Sequence, residues 1–245
     1  MARKDSEHQR KSMSMLFRGR AIFKPLNTGW IDEHVACVRE WIANIFFYRK
    51  DGMTIMIDAG YNYDRLKEKM AWLDIDPAAV QHILITHQDT DHVGALEPDS
   101  GQLFRHATVY IGEIENRYLN GKVRRKVFHG LYRLPRVTMD NQRVTLRDGQ
   151  VLMIGNIKIE CILVPGHTWG HLVYLIDDKY LFTLQQGISF NQLKEMQDYR
   201  LHLVVPHKYL DSFPKKFRSN ICDLSTFIGM VKERQERMPK HYLIG

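Results

Sequence analysis

The segment Ile83-Leu84-Ile85-Thr86-His87-Gln88-Asp89-Thr90-Asp91-His92-Val93-Gly94 constrains this chain more than any other. Its short apolar opening, rich in β-branched residues, reads as a buried strand. It runs straight into His87, Asp89, Asp91 and His92. Inside a strand, two carboxylates and two imidazoles would each need a partner to offset burial. At the mouth of a sheet, the same groups can converge on a cation. Imidazole nitrogen and carboxylate oxygen are the donors that borderline first-row metals take. The fold must therefore end a strand at a polar site.

The rest of the chain suits such a fold. It has 245 residues, 44% of them hydrophobic, enough for one large domain with a real core. No apolar run approaches the roughly 20 residues that span a bilayer. Residues 1–16 are polar, without the apolar core of a secretory signal, and are expected to be a disordered basic tail ahead of a single domain over 17–245. Cys37, Cys161 and Cys222 are far apart and odd in number, which points to reduced thiols and a cytoplasmic protein.

The formal charge of +7 is uneven. Arg117, Lys122, Arg124, Arg125, Lys126, Arg133 and Arg136 fall in one stretch without an acidic residue. A solvated helical excursion is the favoured account. Such a stretch could also steer an anionic small-molecule substrate, while nucleic acid is disfavoured. Aromatic residues around Trp30 and Trp41 would permit a homodimer. No membrane partner is expected.

Strand signals recur along the chain. Ala43–Tyr48 and Met53–Asp58 flank an Asp51-Gly52 turn, the mark of a tight hairpin. Leu66, Met70 and Leu73 share one helical face. Asp76-Pro77 reads as a cap and first-turn proline. Strands are expected at Val144–Leu146, Val151–Ile154, Ile157–Val164, Leu172–Ile176 and Tyr180–Thr183. A helix carrying Leu224, Phe227, Ile228 and Val231 is expected behind a cap at Asn220. Mixed hairpins and crossovers indicate an α/β fold.

A second motif, Val164-Pro165-Gly166-His167-Thr168-Trp169-Gly170-His171, also follows a strand, and its Pro-Gly turn presents His167 at the strand end. The His87-x-Asp89-x-Asp91-His92 and Pro165-Gly166-His167-Thr168 motifs together resemble those of the metallo-β-lactamase superfamily of metal-dependent hydrolases. The hairpin through Asn44 and Ile57-Asp58-Ala59-Gly60, the Arg147-Asp148-Gly149 turn and the Leu181-Phe182-Thr183 strand extend the resemblance over nearly the whole chain. It implies a four-layer αβ/βα sandwich with a two-metal site at one edge, where an activated water attacks a carbonyl or phosphoryl centre.

Carried over residue by residue, the resemblance gives His87 and His167 to a first metal and Asp91 and His92 to a second. Asp91 also orients the water and is the catalytic candidate. His171 is read as supporting rather than ligating. Three departures stand out. Asp89 replaces the family's second histidine. Gln185 stands where the family has a bridging aspartate, and is carried as a metal-site residue. The final family histidine has no match before Gly245, which suggests a truncation as readily as a loss.

Zinc, as one or two ions, is the expected cofactor, with iron or manganese in competition. The expected activity is hydrolysis of a carboxylic ester, lactone or thioester, with a phosphodiester also open. The alternatives are a degenerate, non-catalytic binding protein of this fold and an iron-binding redox variant.

Overall fold

In the computed structural model, the residues described are 26–40, 43–61, 63–99, 102–121, 137–165 and 168–182, with the backbone alone at 126–127, 132–133, 203–205 and 221–223. The first strands are β1 (Gly29–Trp30), β2 (Val35–Arg39), β3 (Asn44–Lys50), β4 (Met53–Ile57), β5 (Val80–Ile85) and β6 (Thr108–Gly112). They continue as β7 (Lys126–Val127), β8 (Tyr132–Arg133), β9 (Arg143–Leu146), β10 (Val151–Ile154) and β11 (Ile157–Leu163). The last are β12 (Leu172–Ile176), β13 (Tyr180–Phe182), β14 (Leu203–Val205) and β15 (Ile221–Asp223). The helices are α1 (Tyr63–Trp72), α2 (Thr90–Val93) and α3 (Glu113–Leu119).

Two sheets hold the core. The first has the order β1-β2-β3-β4-β5-β6-β9 and the second β10-β11-β12-β13-β14-β15. The expected hairpin joins β3 to β4 with Lys50 opposite Met53. Its turn residues Asp51 and Gly52 both have positive φ, 50° and 76°, as the twist-matched two-residue turn requires. From β4 onward the first sheet is parallel, β4 to β5 to β6 to β9.

Strands buried on both faces carry apolar residues at most positions, as β3, β4 and the last half of β5 do. Phe46, Tyr48, Ile55, Ile57 and Leu84 pack between the sheets against Ile159, Tyr174, Ile176 and Phe182. Their neighbours Ile45, Phe47, Met56, Ile83 and Ile85 face the other way, onto Leu66 and Met70 of α1. Each such side chain contributes about 1.5–3 kcal/mol through burial. The Cys161 thiol lies in the inter-sheet core, where burial pushes its pKa up to about 12. It is inert at neutral pH.

Polar side chains fasten the sheets at the rim. The β12–β13 turn places Asp177 where it accepts from Tyr48 Oη at 2.7 Å, Lys50 Nζ at 2.8 Å and the Lys158 backbone N–H at 2.9 Å. Tyr180 Oη donates to Asp32 at 2.7 Å. Beneath the site, Tyr174 Oη donates to the Ile85 carbonyl at 2.5 Å, pinning the end of β5 to the second sheet.

Most sequence expectations for the elements hold within a residue or two, including the Asp76 cap, whose carboxylate accepts from Ala78 N at 2.9 Å. Two do not. The basic stretch is not helical throughout: α3 ends at Leu119, and Lys126–Val127 pairs with Tyr132–Arg133 as a β-ribbon. Ile221–Asp223, where the expected helix behind Asn220 would begin, forms β15, parallel to β14, while Asn220 itself lies outside the described residues. The chain beyond Asp223 lies outside the described residues, as do residues 1–16, Trp41, His167 and Gln185. Trp30 is half-buried: its indole N–H donates to the Leu73 carbonyl at 3.2 Å, and the Arg49 guanidinium lies 4.8 Å over its ring.

Burial would raise the Asp177 carboxyl. Hydrogen bonds from Lys50, Tyr48 and Lys158 outweigh it and hold the group below the ordinary value of 3.8. A carboxylate depressed in the fold stabilises it above the unfolded value, and that contribution fades as pH falls through the folded one. Asp177→Asn is therefore expected to cost about 1 kcal/mol at neutral pH, discounted for solvent screening. Urea unfolding should show the deficit shrinking below pH 4, and an equal deficit at pH 7 and pH 2.5 would contradict this account.

Candidate metal centre

Because β4, β5 and β6 run parallel, the residues that follow them gather at one edge of the sheet. The crevice beyond the carboxyl ends of parallel strands is the general ligand position of such sheets. Asp58 follows β4, the stretch 86–92 follows β5, and α3 follows β6. The second sheet reaches the same place. Leu172 N, at the start of β12, donates to the Thr86 carbonyl at 2.9 Å, and Val164 N donates to the His171 carbonyl at 2.7 Å. The start of β12 is thereby hung against the end of β5, with the end of β11 beside it.

Asp58 organises the histidines. Its backbone sits at φ 58°, an uncommon conformation for a residue with a side chain, though one that Asp tolerates. The turn aims its carboxylate into the site. Oδ1 accepts from Thr86 N at 2.8 Å, and Oδ2 from Thr86 Oγ1 at 2.7 Å. His92 Nδ1 lies 2.6 Å from the same Oδ2. A carboxylate on one imidazole nitrogen fixes the tautomer and leaves the other nitrogen as a donor. His92 Nε2 accordingly faces Asp91 Oδ2 at 3.5 Å.

His87 repeats the pattern. Its Nδ1 lies 3.0 Å from Thr86 Oγ1, and its Nε2 faces Asp89 Oδ2 at 3.6 Å. The other Asp89 oxygen accepts from Gln88 Nε2 at 2.7 Å, so the carboxylate cannot swing away. The rings of His87 and His92 are 3.9 Å apart, and His171 stacks on His87 at 4.8 Å with 21° between planes. All three imidazoles are buried, whereas the Asp91 side chain keeps 28% of its surface exposed. Asp91 is the member of the motif most open to an incoming molecule.

The short helix α2 explains the spacing. Asp89 stands at its N-cap position, and His92 N donates back to the Asp89 carbonyl at 2.8 Å. One helical turn thus returns His92 beside His87, while Asp91 projects outward. Gly94 closes the turn because a side chain there would meet the Tyr61 carbonyl at 2.9 Å.

The site gathers negative charge around its imidazole rings. Burial alone would lower His92, but the carboxylates of Asp91 and Asp58 outweigh it and hold the imidazole well above its ordinary value. The surroundings of His92 thus stabilise positive charge, and a divalent cation meets that demand through the imidazole Nε2 lone pairs. By donor type, charge and tautomer control, the residues fit a metal. Among the described residues no three such side chains close on one point. The structure brings together His87, Asp89, Asp91 and His92. His167 and Gln185 lie outside what it describes.

Sequence reasoning missed Asp58 and Glu115 as parts of this site. The first had a signal, an aspartate straight after a buried strand and before Ala59-Gly60. The second had none, since an acidic residue in a helix reads as solvated. Yet Glu115 is fully buried.

The family model for the metallo-beta-lactamase superfamily matches residues 38–183, more than half of the chain. The protein belongs to that superfamily. Over 135 residues it is 31% identical to the probable polyketide biosynthesis zinc-dependent hydrolase BaeB of Bacillus velezensis, covering 55% of this chain and 50% of that one. Over 130 residues it is 28% identical to a hydroxyacylglutathione hydrolase of Aeromonas hydrophila, covering 53% and 41%. The chain thus spans about half the length of the curated relatives it matches.

A solved metallo-beta-lactamase from Cronobacter sakazakii, a mutant of a HARLDQ-motif enzyme, superposes with a TM-score of 0.53 at 21% identity, covering 65% of this chain and 64% of that one. The fold is the αβ/βα sandwich of that superfamily. A second family model, for the EcoRII C terminal, matches residues 174–228. Over 54 residues the chain is 37% identical to the type II restriction enzyme EcoRII of Escherichia coli, covering 22% of this chain and 13% of that enzyme. The two matches overlap on the β12–β13 hairpin. Gln185 lies beyond the first and inside the second.

Asp58→Ala strands the buried Thr86 N–H and the His92 ring. It is expected to destabilise the fold by about 2–4 kcal/mol and to weaken zinc binding about 10–100-fold. Thermal unfolding and competition with a chromophoric chelator measure the two effects. Wild-type zinc affinity in the variant would refute the role given to Asp58.

Proposed function

We propose that this protein is a zinc-dependent hydrolase of carboxylic esters, lactones or thioesters, with small anionic thioesters the favoured class. The observation that carries the reading is the orientation of His92. Asp58 holds its Nδ1 at 2.6 Å while its Nε2 faces the partly exposed Asp91 carboxylate at 3.5 Å. The names of the zinc-dependent polyketide hydrolase and the hydroxyacylglutathione hydrolase support it, the second pointing to a thioester. The cations between Arg117 and Arg136 favour an anionic substrate. Cys37 and Cys161, in no disulfide among the described residues, support a cytoplasmic protein.

In this reading His87, Asp89 and His167 hold one zinc ion, and Asp91 with His92 holds a second, weaker one. Zinc supplies a water acidic enough to attack at neutral pH and polarises the carbonyl. The chain's own groups do the rest. Asp58 keeps the His92 tautomer fixed, and Gln88 holds Asp89 on His87. Asp91 Oδ2 orients the attacking water and takes its proton. This reading leaves Gln185 out of the ligand set: the residue lies past residues 38–183, which the superfamily model matches, and within the stretch that matches another family.

That boundary favours a second reading, a metal-binding protein of this fold without hydrolytic activity. The superfamily match stops at residue 183, and the chain spans only about half of its relatives. Zinc stoichiometry on the purified chain, followed by assays on acyl-thioesters, lactones and phosphodiesters, separates the two. Zinc bound with thioesterase activity supports the first, and zinc bound with no turnover supports the second. No zinc at saturating concentration overturns both.

Asp91→Ala is expected to keep the fold and lower kcat/KM by about 10²–10⁴. Gln185→Ala should leave zinc affinity unchanged. A parent-like Asp91→Ala would overturn the mechanism, and a Gln185→Ala variant that loses zinc would restore Gln185 as a ligand.

A further inference from the structure

Glu115 sits in the first turn of α3 with none of its surface exposed. Its two oxygens point to different loops. Oε2 accepts from the backbone N–H of Gln88, in the His87–His92 motif, at 3.0 Å. Oε1 accepts from the backbone N–H of Gly170, between His167 and His171, at 3.0 Å. The two loops belong to different sheets, one following β5 and the other preceding β12. A single carboxylate thus ties together both stretches that carry candidate ligands.

The approach is close on every side. A Cβ at Gly170 would stand 2.6 Å from Ile114 Cβ, 2.7 Å from Glu115 Oε1 and 2.9 Å from Glu115 N. A Cβ at Gly112, which precedes α3, would stand 3.0 Å from the Gly170 carbonyl. Only glycine at 170 lets the loop close onto the carboxylate. Burying a carboxylate is costly, and charge-assisted bonds from backbone N–H groups are what make it tolerable. A core held by packing alone has no use for so expensive a group.

We propose that Glu115 is a positioning residue that sets the separation between the His87–His92 stretch and the Thr168–His171 stretch, and so the geometry of the metal-binding edge. The proposal rests on the metal-site reading above, but its structural half is independent of it. Gln88 adjoins both His87 and Asp89, and Gly170 adjoins His171. Displacing either N–H moves a ligand-bearing backbone. Asp at 115 is one methylene too short to serve both loops, and Gln offers one acceptor while turning an N–H toward the other donor.

The test compares wild type with Glu115→Gln and Gly170→Ala. Thermal unfolding establishes that each is folded. Zinc affinity by chelator competition and the visible spectrum of the cobalt(II) form then report site geometry. Glu115→Gln is expected to stay folded, weaken zinc about 10–100-fold and shift the cobalt bands. Gly170→Ala should do the same, and the double variant should add little, since both break one contact.

Amide hydrogen exchange is read on the same proteins without metal. Gln88 and Gly170 should be protected in wild type, and at least one of them should exchange rapidly in Glu115→Gln. A folded Glu115→Gln with parent-like zinc affinity and cobalt spectrum would overturn the positioning role. Unchanged protection of both amides would overturn the tie between loops. If wild type bound neither zinc nor cobalt, the hydrolase reading would fall and the positioning role with it, while the exchange data would still decide the tie.

Discussion

The site depends first on the Asp58 carboxylate. Three groups from the end of β5 and from α2 converge on it: the Thr86 N–H, the Thr86 hydroxyl and the His92 ring. None of the three can reach water, for Thr86 and His92 are fully buried. Without the carboxylate, the Thr86 N–H would be left with an unmet hydrogen bond in a dry interior, a cost of about 1–3 kcal/mol, and the Thr86 hydroxyl and the His92 ring would each lose a charged partner. The left-handed backbone at Asp58 is the local strain that delivers the carboxylate to this spot. Strain at one residue thus fixes a tautomer at another, and the tautomer decides which nitrogen faces Asp91.

The position of Asp58 is in turn set by the parallel pairing of β4 with β5. Ile57 lies opposite Leu84, so the residues after each strand emerge side by side. The second sheet adds its contribution through backbone and side chain together. Leu172 N and Tyr174 Oη both bond to carbonyls at the end of β5, those of Thr86 and Ile85. Packing between the sheets is non-directional and would tolerate sliding. These hydrogen bonds do not, and they hold the two halves in one register at the place where the ligand-bearing loops meet.

Much of this was legible in the sequence, for reasons that can be named. The β3–β4 hairpin announced itself because Asp51-Gly52 is the chemistry of a turn with positive φ at both positions. The strand Val80–Ile85 and the polar burst after it were legible because apolar run and ligand run abut. His87, Asp89, Asp91 and His92 stood out because four donors within six residues at a strand end are costly to bury except around a cation. Glu115 was invisible because its partners are backbone N–H groups far along the chain, and no side-chain pattern encodes them. The Arg117–Arg136 stretch misled because a run of cations has no period of its own. Its charges said nothing about the ribbon that Lys126–Val127 and Tyr132–Arg133 form.

The departures from the superfamily pattern separate into two kinds once they are placed on the chain. Asp89 lies in the middle of the residues matched by the superfamily model, beside an intact His92–Asp58 pair. It is held by Gln88 and faces His87. It is a change within the matched stretch, an oxygen donor where the superfamily pattern carries a nitrogen. Gln185 is of another kind, for it falls after residue 183, where the superfamily match has ended and the second family's match is under way. A residue-by-residue carry-over assumes one lineage along the chain, and past the β12–β13 hairpin that assumption loses its support. The metal chemistry must therefore be argued from the residues upstream of that hairpin. There, burial, tautomer and charge already agree on a cation.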